Sequence, residues 1–256
     1  MIKEEKRQIP SNVFEGMTSI SALLAAKEQK INDRPIAQIL FGKEKKQKKA
    51  RQFSFLAHKC KELNIPLKLI DGAELEQLCI GNTHGGIVAL CGDRTFPAPT
   101  LDTLPPKGFL CLLEGIEDPY NFGYALRSLY AAGCDGVLLG ERNWMSAAGV
   151  VARASAGASE SMPLWAGSTA EAIRTLKSIG YRVICAGIRN SIGLYEADLK
   201  KPLLLVIGGE KRGISAEMLS LADEVVRIDY GREFQGSLST ASASTVIAFE
   251  VLRQNR

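Results

Sequence analysis

The sequence LLLVI at residues 203–207, followed by GGEKRG at residues 208–213, decides the fold class. An unbroken apolar run of this length is typical of a strand buried on both faces, and the glycines end it in a loop. The pattern repeats, because the strand-like run 225–228 leads into the loop 229–236, which begins and ends near glycines. Almost all residues of 236–245 are small, and an apolar helix follows. Two loops at two strand ends predict a ligand site.

Strands and helices alternate through the rest of the C-terminal part. The predicted strands are 109–113, 136–139, 182–186, 203–207 and 225–228, and the predicted helices lie near 123–132, 169–179, 216–221 and 240–252. Apolar strands between helices predict an α/β fold with a parallel sheet, in which ligands bind outside the carboxyl ends of the strands. The candidate loops are therefore 114–121, 187–190, 208–213 and 229–236.

Residues 12–93 predict a second, smaller α/β domain. Its predicted elements are a helix at 19–30, a strand at 36–41, a long helix at 43–63, a strand at 67–70, a short helix at 74–78 and a strand at 86–90. Four prolines within residues 94–107 predict a stiff linker. The predicted organisation is an N-terminal domain at 1–93, a linker at 94–107 and a C-terminal domain at 108–256.

The net charge of +4 belongs to the N-terminal domain, where residues 1–93 carry 15 Lys and Arg against 11 Asp and Glu. Six of these cations form a basic segment near the start of the predicted long helix: Lys43, Lys45, Lys46, Lys48, Lys49 and Arg51. Such a segment is either a solvated charged face or a surface that contacts phosphates. Because no aromatic residues are interleaved, contact with an RNA backbone is favoured over reading of bases.

Composition narrows the class of protein. No apolar run approaches the roughly 18 residues of a membrane span, and the charged N-terminus argues against a secretory signal. The six cysteines are scattered without a CxxC pair, which is typical of free thiols in a cytosolic protein. With only two histidines in the chain, a histidine-based metal site is poorly supported. We therefore predict a cytoplasmic protein without a metal.

Two candidate loops carry side chains that suggest chemistry. Asn121 can cap the helix that follows it. The only local use of Arg127 is solvation or an exposed ion pair, and an arginine near this edge of the sheet can also clamp a phosphate. The loop 208–215 approaches a phosphate-binding loop, but Ile214 stands where that motif requires lysine, and Glu210 adds an opposing charge. A nucleotide-phosphate-binding protein and a plain strand-to-helix turn both remain open for this loop considered alone.

Three ordered motifs resemble the SpoU (TrmH-like) family of RNA 2′-O-ribose methyltransferases, within the SPOUT superfamily. They are DPYNFG at 118–123 together with Arg127, GGEKRGI at 208–214, and the stretch from 227–228 to SLS at 237–239. The segments RASAGA at 153–158 and THGGIVA at 83–89 also resemble the family. The resemblance covers nearly the whole chain, and the combination of motifs is more specific than any one of them.

The resemblance implies a deep trefoil knot in the C-terminal SPOUT domain and an L30e-like substrate-binding domain at the N-terminus. It further implies S-adenosylmethionine (SAM) as methyl donor, an RNA substrate, with rRNA favoured over tRNA, and a homodimer through the C-terminal domain. The residues that would bind the adenosyl group are Ala186, Gly187, Ile207, Gly208, Ile228, Ser237 and Leu238. The residues that would act on the ribose are Asn121, Arg127, Glu210, Ser237 and Ser239. Arginine stays charged and is a poor base, so Arg127 is expected to orient the 2′-hydroxyl and a phosphate.

The chain departs from the family pattern at Ser239, where the family usually has asparagine. A serine hydroxyl is shorter and lacks the paired groups of an amide. Gly209 is a smaller departure, because the family often has asparagine or serine there. A non-catalytic RNA-binding homologue is therefore an alternative to the enzyme.

Overall fold

The computed structural model describes residues 12–80, 84–140 and 147–256. The strands are β1 (Val13–Glu15), β2 (Ile36–Gly42), β3 (Leu67–Ile70), β4 (Ile87–Cys91), β5 (Phe109–Glu114), β6 (Gly136–Leu139), β7 (Leu164–Ala166), β8 (Arg182–Ala186), β9 (Ile192–Gly193), β10 (Leu203–Gly208) and β11 (Glu224–Arg227). The helices are α1 (Gly16–Glu28), α2 (Ala50–Glu62), α3 (Gly72–Leu78), α4 (Pro119–Ala131), α5 (Ala148–Ala154), α6 (Ala158–Ser161), α7 (Thr169–Ser178), α8 (Ala216–Ser220) and α9 (Thr240–Gln254). These elements form two compact units.

The first unit contains residues 12–95 of the described chain together with 147–161. Its sheet has the strand order β1-β4-β2-β3, in which only β2 and β3 run parallel. Phe14, Ile20, Phe41 and Leu56 are fully buried between this sheet and its helices. The unit is therefore a small mixed-sheet α/β domain.

Helices α5 and α6 pack into the first unit, although they follow β6 in the chain. Gly149 of α5 lies so close to β1 that a Cβ atom there would be 1.9 Å from the carbonyl oxygen of Val13. Arg34 Nε donates to Glu160 Oε2 at 2.8 Å, and both side chains are almost wholly buried. Since a buried charge is costly without its partner, this pair makes the placement of α6 specific.

The second unit contains residues 96–140 and 162–256. Its sheet has seven parallel strands in the order β7-β6-β5-β10-β8-β11-β9. Every residue of 203–207 is at most 2% exposed, as expected for a central strand covered on both faces. The predicted α/β fold with a parallel sheet is confirmed, and the trefoil knot stays a prediction. None of the helices in the described ranges has the length and apolarity for crossing a membrane.

The long helix predicted at 43–63 is wrong over its first seven residues. It is divided into a short 3₁₀ helix at Lys43–Lys45, a turn, and α2, which begins at Ala50. Cations at a helix N-terminus oppose the helix dipole, so a continuous helix would place this basic segment where it is least favourable. The motif residue Thr83 lies outside the described residues.

Candidate active site

The candidate site lies at the carboxyl edge of the second sheet, which we define as the edge where β5, β10, β8 and β11 end. These four strands are adjacent in that order. The loops predicted to carry a ligand follow the same four strands. Because the strands are parallel, the structure brings the four loops to one edge of the sheet, which is where ligands bind in such folds.

Asn121 and Glu210 come from two of these loops and are joined directly. Asn121 Nδ2 donates a hydrogen bond to Glu210 Oε1 at 2.8 Å. The backbone N–H of Thr240, at the start of α9, points to the same oxygen, with an N···O distance of 3.4 Å. The hydroxyl of Thr240 donates in turn to the carbonyl oxygen of Gly208 at 3.0 Å. We call these contacts the Glu210 network, and they connect the first two sequence motifs to Thr240, the residue that follows the third.

Asp118, rather than Asn121, caps helix α4. The Asp118 carboxylate accepts a hydrogen bond from the backbone N–H of Asn121 at 2.9 Å, and Pro119 occupies the first helical position. An acidic cap followed by proline is a favoured way to begin a helix. The prediction that Asn121 caps this helix is therefore wrong, and its side-chain amide binds Glu210 instead.

Two adjacent glycines allow the loop after β10 to lie against the loop after β5. A Cβ atom on Gly209 would be 2.1 Å from the carbonyl oxygen of Gly115, and one on Gly208 would be 2.2 Å from the carbonyl carbon of Gly213. The backbone N–H of Gly209 donates to the carbonyl oxygen of Glu114 at 2.7 Å. This close approach is the steric reason for a glycine at position 209.

The same loop is poorly suited to holding a phosphate. The Glu114 carboxylate accepts the backbone N–H of Ser215 at 3.0 Å, just where α8 begins. The Ser215 hydroxyl caps α8 by accepting the N–H of Met218 at 3.3 Å. A carboxylate thus already occupies the helix terminus that a phosphate would use. The loop serves as a wall of the candidate site rather than as a phosphate cradle.

Arg127 lies on α4 two turns beyond Asn121, and its side chain is exposed. Within the described residues it makes no hydrogen bond or ion pair, so it is not part of the Glu210 network. Its planar guanidinium offers several donors in a fixed fork, which suits two oxygen atoms of one ligand. Arg127 therefore has unused donors, whereas Asn121 and Glu210 are bonded to each other.

The SLS segment at 237–239 connects the loop after β11 to α9. Ser239 is the N-cap of α9, and its hydroxyl oxygen accepts the backbone N–H of Ser242 at 3.2 Å. The backbone N–H of Leu238 donates to the hydroxyl of Tyr230 at 3.2 Å. Ser237 is exposed and makes no hydrogen bond among the described residues. Ser239 therefore has a structural use, as a helix cap, that requires no ligand.

The residues predicted to bind the adenosyl group occupy three adjacent strand ends and the segment before α9. Ala186 ends β8, Ile207 and Gly208 end β10, and Ile228 follows β11 directly. Gly187 donates its backbone N–H to the carbonyl oxygen of Val226 at 2.9 Å, which ties the loops after β8 and β11 together. The remaining two, Ser237 and Leu238, approach from the same loop as Tyr230. The structure thus clusters the predicted residues at the carboxyl edge.

A cleft of about 460 Å³ opens beside this cluster. Its lining consists of Tyr230, Gly231, Arg232, Glu233, Phe234 and Leu238. Only Leu238 among them was predicted from the sequence as a site residue. The sequence does contain a signal for the other lining residues, which is two aromatic residues inside a loop with glycines at 231 and 236. Large apolar side chains are uncommon in loops without a ligand or partner.

The one cysteine next to the site is not a nucleophile. Cys185 precedes Ala186 in β8, and burial raises the pKa of its thiol to about 12. A thiol with such a pKa stays protonated near neutral pH and is unreactive. Within the ranges 12–80, 84–140 and 147–256, no group of histidine, cysteine and carboxylate side chains is arranged to hold a metal ion.

The basic segment of the first unit is partly engaged in local contacts. Lys43 Nζ pairs with Asp71 at 3.1 Å, and Lys49 Nζ donates to the carbonyl oxygen of Gly85 at 2.6 Å. Lys46 Nζ lies 4.7 Å from the centre of the Phe53 ring. The side chains of Lys45, Lys48 and Arg51 are exposed and make neither a hydrogen bond nor an ion pair to any other described residue. The segment therefore offers three uncommitted cations rather than six.

The fold places the chain in a class of two-unit α/β proteins that includes solved structures named as rRNA or SpoU methyltransferases. An rRNA methyltransferase from Sinorhizobium meliloti with bound AdoMet superimposes with a TM-score of 0.78 at 21% identity, covering 95% of this chain and 88% of that one. The SpoU methyltransferase AviRb from Streptomyces viridochromogenes, in complex with AdoMet, gives a TM-score of 0.77 at 21% identity, covering 95% and 91%. These similarities establish the fold.

The chain belongs to the SpoU rRNA Methylase family, whose model matches residues 108–249. Residues 13–97 match a second family model, described as RNA 2′-O ribose methyltransferase substrate binding. A 23S rRNA (guanosine-2′-O-)-methyltransferase of a Burkholderia species is 33% identical over 209 residues, which are 80% of this chain and 84% of that protein. A similarly named protein of Shewanella oneidensis is 29% identical over 206 residues, which are 78% and 83% of the two chains. The predicted family is therefore confirmed.

Proposed function

We propose that this protein transfers the methyl group of SAM to a ribose 2′-hydroxyl of structured rRNA. The observation that carries the proposal is the Glu210 network, because it joins two motifs of the family to the residue that directly follows the third, at the carboxyl edge of the sheet. The named 23S rRNA methyltransferases that align with most of the chain favour rRNA over tRNA as substrate.

The residues at the carboxyl edge fit an adenosyl group. Gly187 follows β8 and Gly208 ends β10. The Gly187 N–H and the Gly208 carbonyl are already bonded within the protein, so the remaining backbone groups of these loops would meet the edge of an adenine. Leu238 adds a partly exposed apolar side chain at the cleft. SAM, when bound, supplies a methyl group that its sulfonium has already activated. The protein therefore has to align the reacting atoms and assist the loss of a proton.

Arg127 and the Glu210 network divide this work between them. Arg127 binds the 2′-oxygen and a neighbouring phosphate through its fork of donors, and it is not the base because it stays charged. Asn121 and Glu210 hold the walls of the site at a fixed separation. Ser237, three residues before Thr240 in the chain, has an exposed side chain that would help to hold the substrate. Ser239 contributes by fixing the start of α9. An adjacent phosphate or water assists removal of the proton.

The basic segment binds the RNA backbone in this proposal, and the N-terminal domain presents one ribose to the C-terminal domain. The boundaries that we propose for these functional domains are 1–93 and 108–256, joined by the linker at 94–107. Three uncommitted cations, Lys45, Lys48 and Arg51, support phosphate contact. We further propose that the protein acts in the cytoplasm, without a metal and away from membranes.

A homodimer through the C-terminal domain completes the proposal. Helices α4 and α9 pack on each other, with Ser128 and Thr245 hydroxyls hydrogen-bonded at 2.6 Å. Both helices expose aromatic side chains, namely Tyr120, Tyr124 and Tyr130 on α4 and Phe249 on α9. Exposed aromatic side chains in this number are typical of a surface that another chain covers. Light scattering after gel filtration should give twice the chain mass, and a monomer at micromolar concentration would contradict the dimer.

Methyl transfer from tritiated SAM into rRNA tests the enzyme proposal directly. The RNA should come from cells that lack the protein, so that the target ribose is unmethylated. We expect label in alkali-resistant dinucleotides, because a 2′-O-methyl group blocks cleavage of the adjacent phosphodiester. Tight binding of SAM and RNA without transfer would identify a non-catalytic RNA-binding homologue instead. Calorimetry with SAM and with ATP tests the third alternative. A nucleotide-phosphate-binding protein would bind ATP, whereas the enzyme and its non-catalytic homologue would bind SAM.

A further inference from the structure

The loop between β11 and α9 presents two aromatic rings to solvent. Phe234 is 58% exposed and Tyr230 is 40% exposed. Their ring centres are 5.7 Å apart, and the ring planes meet at 64°, an edge-to-face arrangement. We call these two residues the aromatic pair. Rings in such contact are worth more together than apart, so the pair is a defined structure rather than two independent side chains.

Two backbone features hold the aromatic pair in place. The Tyr230 hydroxyl accepts the backbone N–H of Leu238 at 3.2 Å, which fixes the Tyr230 ring to the segment that begins α9. Gly236 allows the Phe234 ring to lie against the backbone, because a Cβ atom at 236 would be 2.5 Å from that ring. The Phe234 ring is therefore positioned before any ligand arrives, which lowers the entropy that binding costs.

We propose that Phe234 stacks on a nucleobase of the RNA next to the ribose that is methylated. This inference rests on the proposed function and names a substrate contact that the family motifs do not include. Phe234 lines a cleft of about 460 Å³ that also reaches Leu238. Leu238 stands two residues before Thr240, which belongs to the Glu210 network. A base held on the Phe234 ring would thus place its own or a neighbouring ribose near the site.

The chemistry of the cleft favours a base over a phosphate. Arg232 and Glu233 are its only charged lining residues, and their charges cancel. The cleft therefore offers little net attraction for an anion, while an exposed ring offers a flat apolar face. All four bases have a face that stacks on an aromatic side chain. RNA loops are recognised in this way when their bases are turned outward.

Photo-crosslinking tests the stacking without relying on methyl transfer. Protein and unmethylated rRNA are irradiated at short wavelength, digested with nuclease and trypsin, and analysed by mass spectrometry. We expect a nucleotide adduct on the tryptic peptide that begins at Glu233, with fragment ions that place the adduct at Phe234 rather than at Phe249. The Phe234→Leu variant should lose this adduct and keep those on other peptides. Adducts confined to other peptides would overturn the proposal.

Kinetics of variants provide the second measurement. The Phe234→Leu variant should raise the KM for RNA about tenfold, in line with the loss of one base–aromatic contact, and leave kcat and the Kd for SAM unchanged. Phe234→Tyr keeps a flat ring and should restore the KM. Tyr195→Leu removes an aromatic ring that is 69% exposed and lies outside both the cleft and helices α4 and α9, so it is the matched control and should leave the KM for RNA unchanged.

Two outcomes separate this proposal from the proposed function. A Phe234→Leu variant that binds SAM more weakly in the absence of RNA would overturn the stacking, since the ring would then line the adenosyl pocket. A wild-type protein that forms the Phe234 adduct but transfers no methyl group would refute the enzyme and leave the stacking in place.

Discussion

The basic segment of the first unit and the carboxyl edge of the second unit use their polar side chains in different ways. In the basic segment, half of the cations have exposed side chains with no local bond, and the others make single contacts. At the carboxyl edge, Asn121, Glu210 and Thr240 are joined through one carboxylate oxygen. The first arrangement tolerates variation in its ligand, whereas the second fixes the positions of atoms. The first arrangement suits the proposed contact with an RNA backbone. The second suits the proposed reaction at one ribose.

Replacement of Arg127 should have the largest effect. Arg127→Ala removes the donors that we propose orient the reacting oxygen, and we expect kcat to fall about 100-fold or more, as when a transition-state donor is removed. Arg127→Lys should fall nearly as far, because an ammonium group cannot bind two oxygens in a fork. The measurement is single-turnover methyl transfer at saturating SAM.

Arg174→Ala is the control for Arg127. Arg174 is an exposed arginine on α7 whose nearest carboxylate, that of Glu217, is 3.9 Å away. Its loss should leave the rate unchanged. Undiminished transfer by Arg127→Lys would rule out the bidentate contact. A single contact from residue 127 would then be enough, as for the cations of the basic segment.

Gly209→Ala tests how tightly the walls of the site are fitted. The added Cβ atom would be 2.1 Å from the Gly115 carbonyl oxygen, so the loop has to move. We expect a loss of about 1–3 kcal/mol in the free energy of unfolding, the usual cost of overpacking. SAM binding should weaken as well, because Gly208 and Glu210 move with the loop.

Gly140→Ala is the matched substitution, since its Cβ atom would meet nothing closer than 3.9 Å. Urea denaturation and calorimetry with SAM measure both effects. Equal stability of the two variants would show that the loop after β10 adapts, contrary to the fixed geometry inferred for the carboxyl edge.

Variants of Ser239 distinguish its role as the cap of α9 from a role in catalysis. Ser239→Ala removes the oxygen that accepts the Ser242 N–H, and the free energy of unfolding should fall by about 1 kcal/mol. Ser239→Asn keeps a good cap and restores the side chain that is usual in the family, so stability should be retained and kcat should equal or exceed that of the wild type.

The corresponding control is Ser168→Ala, which removes the cap of α7, where Ser168 accepts the N–H of Glu171 at 3.4 Å. It should lower stability to a similar extent without changing kcat. If Ser239→Asn instead abolished methyl transfer, Ser239 would contact the substrate in a way that an amide cannot reproduce.

Five of the seven strands of the second sheet are predictable to within one residue, because apolar runs bounded by glycine and polar residues mark them directly. The sequence analysis does not predict β7 and β9, which are only three and two residues long. The start of α4 was placed too late, since the Asp118 cap and Pro119 signal it before any apolar period begins. The steric need for Gly209 was not predictable, because Gly115 is distant in the chain and meets it only after β5 and β10 pair. Sequence patterns report local periodicity, whereas the Glu210 network depends on how loops that are distant in the chain meet.

The smallest effects are expected in the basic segment, where they decide between a phosphate-binding surface and a solvated face. Combined replacement of Lys45 and Lys48 by alanine should weaken RNA binding several-fold and reduce the slope of log K against log salt by about one for each lysine. Replacement of Lys43 and Lys49 should change the slope less, because Asp71 and the Gly85 carbonyl already engage these ammonium groups. Fluorescence anisotropy with a labelled rRNA fragment at several salt concentrations measures both slopes. An unchanged slope in both double variants would show that the basic segment is a solvated charged face. The contacts with RNA would then have to come from the carboxyl edge.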